Sequence, residues 1–164
     1  MSISIFIIGL LIIAMFVLPF LLVGIGKDKG QKQLKQVLFR IADENNCKLS
    51  KVELMSSSAI GIDETTDDLF FIQTYNGIET AKHIKLSKFR SCKINNYSRS
   101  MKDTEGNHTA IDRLDIELTP LEKGTSSIIL EFFNSEGSTL FSNELAIVEE
   151  WEQIINKKLN TRKQ

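Results

Sequence analysis

The sequence predicts an α+β protein with an N-terminal transmembrane helix, an amphipathic helix, a seven-stranded antiparallel β-barrel or sandwich, and a C-terminal helix. Its first 26 residues contain 20 apolar residues and no charge, whereas all 20 Lys/Arg and 21 Asp/Glu lie in the other 138. Seven short stretches rich in β-branched and aromatic residues alternate with turn residues. Two stretches with helical apolar spacing flank them. The 138 residues suit one domain, and 9 Gly, 2 Pro and 2 Cys exclude collagen-like, low-complexity and disulfide-rich proteins.

Residues 3–25 are almost entirely Ile, Leu, Val, Phe and Met, which predicts a membrane anchor over residues 1–26. As a helix this run reaches about 34 Å, enough to cross a hydrocarbon core of ~30 Å. A cleaved signal peptide would need a basic start and a small-residue cleavage site, and the sequence shows neither. A lipoprotein would need a cysteine directly after the run, but the first is Cys47. A buried core helix of this length would have a polar face.

The charges that follow the apolar run predict its orientation. Only Asp28 opposes five cations, which are Lys27, Lys29, Lys32, Lys35 and Arg40. By the positive-inside rule we expect a single-pass cell-membrane protein with its N-terminus outside and its C-terminal domain in the cytoplasm. These cations can serve topology alone or also contact anionic headgroups. Cys47 and Cys92 form no disulfide framework or metal spacing, which agrees with a reducing compartment.

Residues 27–46 are predicted to form a basic juxtamembrane segment and an amphipathic helix. Apolar residues at helical spacing lie within residues 31–44, at Leu34, Val37, Leu38, Ile41 and Ala42. We expect Asn45 and Asn46 to end the helix. Its apolar stripe is expected to pack on the following domain. The alternative, a helix lying on the bilayer, is disfavoured by Asp43 and Glu44 at its end.

The β-rich domain is predicted over residues 47–164. We expect its strands at residues 48–55, 57–63, 69–75, 78–86, 89–98, 110–119 and 126–134, separated by turn residues. Asn76-Gly77 is typical of a two-residue hairpin. The alternation of the sixth strand slips near Arg113, which predicts a β-bulge. Residues 64–67, 100–109 and 121–125 are predicted as turns and loops, and 139–141 as a short extra segment.

A second amphipathic helix is predicted near the end of the chain. Asn143 is a suitable N-cap, and Glu144 follows in the first turn, where an acid interacts favourably with the helix dipole. The apolar stripe of this helix consists of Leu145, Val148, Trp151, Ile155 and Leu159. We expect the stripe to pack on the sheets.

The order of seven antiparallel strands and one tryptophan-bearing helix resembles the pleckstrin-homology-like (PH-like) fold over about residues 48–160. In that family the final helix closes an open corner of a bent two-layer sheet, so the resemblance implies this role for Trp151. The chain is also similar to small bacterial single-pass membrane proteins of unknown function. Lipid-binding PH domains use a basic loop between the first two strands, where this chain has Ser56-Ser57-Ser58. The resemblance therefore implies no phosphoinositide site and assigns no site residue.

The main local charge feature is a basic stretch on the fourth and fifth predicted strands. Its members are Lys82, Lys85, Lys88, Arg90 and Lys93, extended by Arg99 and Lys102. This face is the candidate site for a protein partner at the membrane or for anionic lipid headgroups, and we expect no nucleic acid partner. The alternative is a solvated face whose cations pair across strands with the eight acids of residues 41–80.

The sequence predicts no catalytic, metal or cofactor site. The four acids of residues 63–68 fit a polar turn better than a calcium loop, which needs more ligands and a glycine. His83 and His108 are remote in sequence from each other and from the cysteines. We therefore expect a non-catalytic interaction module. The alternative is a small membrane-tethered enzyme whose Cys–His or Ser–His–acid site is assembled only in space, in a pocket with converging polar groups.

Overall fold

A computed structural model of the protein describes residues 30–75, 77–103, 106–136 and 144–161. The predicted span over residues 3–25, the short segment over 139–141 and the Asn143 cap lie outside these residues. Within the described ranges, no helix combines the length and the apolar content that crossing a membrane requires.

The described residues form an α+β arrangement of two α-helices and seven strands. Helix α1 spans residues 30–44. The strands are β1 (Lys51–Leu54), β2 (Ser58–Asp63), β3 (Asp68–Tyr75), β4 (Ile78–Lys85), β5 (Phe89–Asp103), β6 (Gly106–Pro120) and β7 (Ile128–Asn134). A 3-10 helix, Leu86–Lys88, joins β4 to β5, and α2 spans Glu144–Thr161.

The strands form two antiparallel sheets, a first sheet with the order β1-β2-β3-β4 and a second with the order β5-β6-β7. No backbone ladder joins the two sheets among the described strands, so the predicted barrel is not closed. Where β4 approaches β7, the Lys82 ammonium donates a hydrogen bond to the Ile129 carbonyl oxygen at 2.6 Å. A side chain thus bridges the gap that a closed barrel would fill with a ladder. Two antiparallel sheets and a final helix are compatible with a PH-like fold.

The strand limits differ most from the prediction around β5 and β6. The predicted loop over residues 100–109 is wrong, because the pairing of these strands continues to Asp103 opposite Gly106. A backbone ladder can continue without apolar side chains, so the polar composition concealed the strand ends. At the other end of the domain, β1 begins three residues later than predicted. The Lys48 N–H donates to the Asp63 carboxylate at 2.7 Å, which draws this residue toward the β2–β3 turn.

Two local features predicted from the sequence are confirmed. The register of β5 on β6 shifts between Tyr97 and Ser98, which leaves Asp112 as an extra residue beside Arg113, where the bulge was expected. The third and fourth strands pair to their ends, and Gly77 between them has a φ of 76°, the left-handed conformation that hairpin turns require.

The inner face of the first sheet packs on the second sheet and on α2. The main members of this inner core are Ile60, Ile62, Leu69, Phe71, Leu114, Ile116, Leu130, Val148, Trp151 and Ile155. Trp151 is fully buried there, which confirms that the apolar stripe of α2 packs on the sheets. The Lys51 ammonium lies 5.8 Å from the centroid of the indole ring and pairs with Glu150 at the rim of this core.

The outer face of the first sheet packs on α1, which confirms the expected contact of this helix with the domain. The outer core consists of Leu34, Val37, Leu38, Ala42, Cys47, Ala59, Phe70 and Ile72. Gly61 of β2 makes the close approach possible, because a Cβ there would lie 3.3 Å from Leu38 Cδ2 and 3.0 Å from Leu49 Cδ1. With helix and sheet on its two sides, β2 is buried along its whole length.

The first sheet has two ends, which α1 connects. The corner end contains the β2–β3 turn (residues 64–67) and the β4–β5 corner, and the hairpin end contains the β1–β2 turn (residues 55–57) and the β3–β4 hairpin. Leu38 lies against Gly61 in the middle of β2. Cys47, just after α1, lies with its Sγ 3.7 Å from Thr66 Oγ1 at the corner end. The helix therefore runs toward the corner end, and its start at Gly30 lies toward the hairpin end.

Candidate functional site

The structure does not bring the five predicted cations onto one face. Lys82 shares a face of β4 with the buried Ile84 and points between the sheets, where it reaches the Ile129 carbonyl oxygen. Lys93 lies across the β5–β6 ladder from Glu117, with its Nζ 3.4 Å from Oε2 of that residue. Both cations therefore have partners within the fold.

The other three predicted cations, Lys85, Lys88 and Arg90, are exposed at the β4–β5 corner. We call them the corner cations. Lys85 is the N-cap of the 3-10 helix and Lys88 is its last residue. Lys85 itself has an extended conformation, with φ of -83° and ψ of 106°. Arg90 follows two residues later, at a register irregularity at the start of β5.

The backbone of the corner is fixed by hydrogen bonds and by a buried side chain. The Leu86 N–H donates to the Asp67 carbonyl oxygen at 3.1 Å, and the Leu121 N–H donates to the Lys88 carbonyl oxygen at 2.8 Å. The Leu86 side chain is fully buried in the inner core. The corner is therefore tied to the β2–β3 turn, to the β6–β7 turn and to the core. It can present its cations in a fixed arrangement.

The corner cations take no part in the ion pairs of the fold. Those pairs include Lys51–Glu150, Arg99–Asp112, Arg113–Asp115, Arg113–Glu131 and Lys158–Asp67. Within the described ranges, no corner cation forms an ion pair with an acidic side chain. The charges of Lys88 and Arg90 therefore face solvent, and Lys85, opposite Asp68 in the β3–β4 ladder, also interacts electrostatically with that carboxylate.

The acidic turn beside the corner acts as a local hydrogen-bond acceptor. Asp63 Oδ1 accepts hydrogen bonds from the Thr65 N–H at 2.8 Å and from the Thr65 hydroxyl at 2.6 Å, and Oδ2 accepts from the Lys48 N–H at 2.7 Å. The Thr65 hydroxyl and the Lys48 N–H lower the pKa of this carboxyl to about 2. No group of three or more metal-binding side chains occurs in the part of the chain described here. Residues 64–67 form a turn, as predicted.

Cys47, Asp68 and His83 form the only side-chain cluster, among described residues, that combines a thiol with an imidazole and a carboxylate. Asp68 lies between the other two: its Oδ2 is 3.7 Å from Cys47 Sγ and its Oδ1 is 2.7 Å from His83 Nε2. The imidazole also stacks on Phe70, with ring centroids 4.6 Å apart. A Cys–His nucleophile needs the imidazole beside the thiol, but here a carboxylate separates them.

The pKa shifts in this cluster also disfavour a Cys–His nucleophile. Burial raises the pKa of the Cys47 thiol, and the charges of Asp68 and Asp63 raise it further. Burial alone would raise the pKa of Asp68, but hydrogen bonds from His83 and Thr66 lower it below its usual value. An activated cysteine needs a lowered pKa, so this arrangement disfavours the thiolate. The cluster ties the start of the β-domain to β3 and β4.

A polar cleft of about 420 Å³ opens between the edges of the two sheets. It is lined by Gln73, Tyr75, Lys82, Arg113, Ile129, Glu131 and Asn134. Its charged groups pair with one another: the Arg113 Nε lies 2.9 Å from Asp115 Oδ1 and 3.2 Å from Glu131 Oε2. Gln73 Nε2 donates to Glu131 Oε1 at 3.0 Å. The hydrogen bond with Asp115 raises the pKa of Arg113, while burial raises that of Asp115.

Sequence reasoning did not find the cleft or the cluster around Asp68. Gln73, Arg113 and Glu131 come from three different strands, and no local pattern joins them. The slip near Arg113 was the only signal, and it indicated a bulge rather than a partner.

The free edge of β5 beside α2 is also occupied by a side chain. The Asn156 side-chain oxygen accepts from the Cys92 N–H at 3.2 Å, and its amide nitrogen donates to the Cys92 carbonyl oxygen at 2.9 Å. One side-chain amide thus makes both hydrogen bonds that a neighbouring strand would make at this position. An added peptide strand would have to displace it.

Comparisons with known protein families, with curated proteins and with solved structures give no match for this chain. The likeness to PH-like domains therefore rests on the two antiparallel sheets and the final helix. The candidate site rests on the geometry of the corner cations alone.

Proposed function

We propose that the chain is a single-pass membrane protein whose PH-like cytoplasmic domain is a non-catalytic interaction module. In this proposal the corner cations bind an acidic surface of a partner protein at the membrane. The observation that supports it most is the set of three exposed cations, Lys85, Lys88 and Arg90, on a fixed corner without ion pairs. Fixed, unpaired charges attract a complementary partner and select against wrong ones.

The anchor is supported by the sequence of residues 3–25, which contains no charge, and by the cations that follow it. An anchored module meets a membrane partner at a raised effective concentration, so a small charged surface can suffice for binding. A surface of three cations would be weak as an isolated binding site in solution, because salt screens exposed charges beyond about 10 Å.

A protein partner is favoured over lipid by the position of the corner. The corner end lies at the far end of α1 from Gly30, the first described residue after the apolar run. A helix of 15 residues is about 22 Å long. With α1 along the membrane normal, the corner cations would lie at a distance from the bilayer that headgroup contacts do not bridge.

The test is site-specific photocrosslinking of the full-length protein in native membranes. A photoreactive residue replaces Ser87, which is exposed between the corner cations. We expect a discrete protein adduct that is lost on combining Lys85→Glu, Lys88→Glu and Arg90→Glu. A matched control combines Lys93→Glu, Arg99→Glu and Lys157→Glu, which makes the same change in charge at other exposed cations and should retain the adduct.

An adduct to lipid, or a protein adduct that survives the triple reversal at the corner, would contradict the proposed partner surface. A reporter fused to the C-terminus checks the anchor separately. We expect the reporter to be active only in the cytoplasm. Activity outside the cytoplasm would contradict the proposed topology.

A further inference from the structure

We infer that the hairpin end of the domain rests on the lipid bilayer, with Tyr75 and Ile78 in the interfacial layer and Lys32 and Lys35 against the headgroups. This inference rests on the proposed anchor and adds the orientation of the domain. The occupant of the exposed apolar hairpin is accordingly the bilayer to which the same chain is anchored.

An exposed apolar pair lies at the β3–β4 hairpin. Tyr75 and Ile78 are directly opposite in the ladder, so their side chains lie on the same face of the sheet. Tyr75 is 38% exposed and Ile78 is 69% exposed. Single exposed apolar residues are common, but this cross-strand pair projects from the tip of a hairpin. Glu79 follows Ile78 and points to the opposite face of β4, so it does not place a charge beside the pair.

Helix α1 begins toward the hairpin end of the first sheet. Leu38 lies against Gly61 and the chain after the helix lies at the corner end, so the helix points its start toward the hairpin end. From Leu38 back to Gly30 is eight residues, a rise of about 12 Å along the helix axis. Gly30 therefore lies near the end of the sheet that carries Tyr75 and Ile78.

Only a short stretch of chain separates the apolar run from α1. Ile25 and Gly30 are five residues apart, which is at most about 18 Å even if the chain is fully extended. A span over residues 3–25 thus holds the start of α1 close to the membrane surface. Because α1 is packed into the outer core, the nearby end of the first sheet is also held close to the membrane surface.

The exposed residues of this end suit the bilayer surface. Lys32 and Lys35 are exposed on the first turns of α1, and the Lys35 ammonium lies 5.8 Å from the centroid of the exposed Phe39 ring. Lysines near an anionic surface are attracted to the membrane. Tyrosine is favoured at membrane interfaces because its ring is apolar and its hydroxyl is polar.

The experiment measures depth in the bilayer with a fluorophore on the full-length protein. The protein is reconstituted into phosphatidylcholine vesicles with a minor fraction of phosphatidylserine and a lipid-attached quencher. An environment-sensitive maleimide is attached to Ile78→Cys or, as a control, to Lys88→Cys. Cys47 and Cys92 are buried with raised pKa values, and the unsubstituted protein gives their background labelling.

We expect severalfold stronger quenching at position 78 than at position 88. The double substitution Lys32→Glu and Lys35→Glu should reduce the quenching at position 78, whereas Lys123→Glu and Lys157→Glu should leave it unchanged. Equal quenching at the two labelled positions, or stronger quenching at position 88, would overturn the inference.

Failure of the inference and failure of the anchor are distinguishable in the same preparation. If alkaline carbonate extracts the protein from native membranes, the proposed anchor is wrong. If carbonate leaves the protein in the membrane and position 78 is not quenched, only the orientation is wrong.

Discussion

The two ends of the first sheet expose different chemistry although they belong to the same four strands. The hairpin end exposes an apolar pair, Tyr75 and Ile78, whereas the corner end exposes the corner cations. The Asp68–His83 pair beside the corner end and the network around Arg113 are paired within the fold. In our proposals the hairpin end faces the membrane and the corner end faces a partner protein.

The largest expected effect is a loss of stability when the packing of α1, the helix that connects the two ends, is weakened. Leu38→Ala removes a fully buried side chain of the outer core and should lower the free energy of unfolding by about 2–5 kcal/mol. The neighbouring Phe39→Ala is the control, because Phe39 lies on the exposed side of α1. Urea denaturation of the full-length protein in detergent, followed by fluorescence of Trp151, the one tryptophan, measures both. Equal midpoints for the two variants would show that α1 does not hold the sheet.

The next effect concerns the turn that shapes the corner end. Asp63→Ala removes the acceptor of several hydrogen bonds and should cost about 1–3 kcal/mol of stability. Glu64→Ala, at the exposed next position, should change it by less than about 0.5 kcal/mol. The same urea titration compares the two. A smaller loss for Asp63→Ala than for Glu64→Ala would contradict the described turn.

The dependence of stability on pH is a second test of the Asp63 carboxyl. The folded pKa of Asp63 is about 2, below its ordinary value of 3.8, because the carboxylate accepts hydrogen bonds from Thr65 and Lys48. Its stabilising contribution is therefore complete above pH 3.8 and is lost as the pH falls toward 2. The lowered pKa of Asp68 acts in the same direction. Asp63→Ala should flatten this part of the stability profile, and an unchanged slope would contradict the assignment.

The smallest effect on stability is expected at the corner cations themselves. Reversal of Lys88 and Arg90 to Glu should change the free energy of unfolding by less than about 0.5 kcal/mol per residue, since neither has an ion pair to lose. Lys85→Glu places a carboxylate opposite Asp68 and should cost about 0.2–1 kcal/mol. The loss of partner crosslinking would then come from binding rather than from unfolding. A large loss of stability in this variant would instead indicate a structural role for the corner.

The sequence predicted which helices and strands form because burial of one face sets the spacing of the apolar residues in each element. The apolar positions of α1 and α2, such as Leu38 and Trp151, are buried where the helical spacing placed them. The slip near Arg113 predicted the bulge because one extra residue reverses the alternation. The ends of β5 and β6 were missed because the backbone ladder continues through a stretch of polar composition.

The candidate site was only partly predictable for a different reason. Charge counting found Lys82, Lys85 and Lys88 together, but it could not show that Lys82 turns inward to a carbonyl oxygen. The placement of Asp68 between a thiol and an imidazole depends on three separate segments meeting in space. Such contacts leave no pattern in a single sequence.

The central claim is that the hairpin end lies closer to the bilayer than the corner end. Measuring the distance of each end from the bilayer tests this claim most directly. Donor fluorophores on Ile78→Cys and on Lys88→Cys of the full-length protein, with acceptor lipids in the vesicle, report this separation by energy transfer. Strand β4 rises about 24 Å from its first residue to its last. The account predicts clearly more efficient transfer from position 78, with a distance difference of about this size if β4 stands along the membrane normal. Equal transfer from the two positions would contradict it.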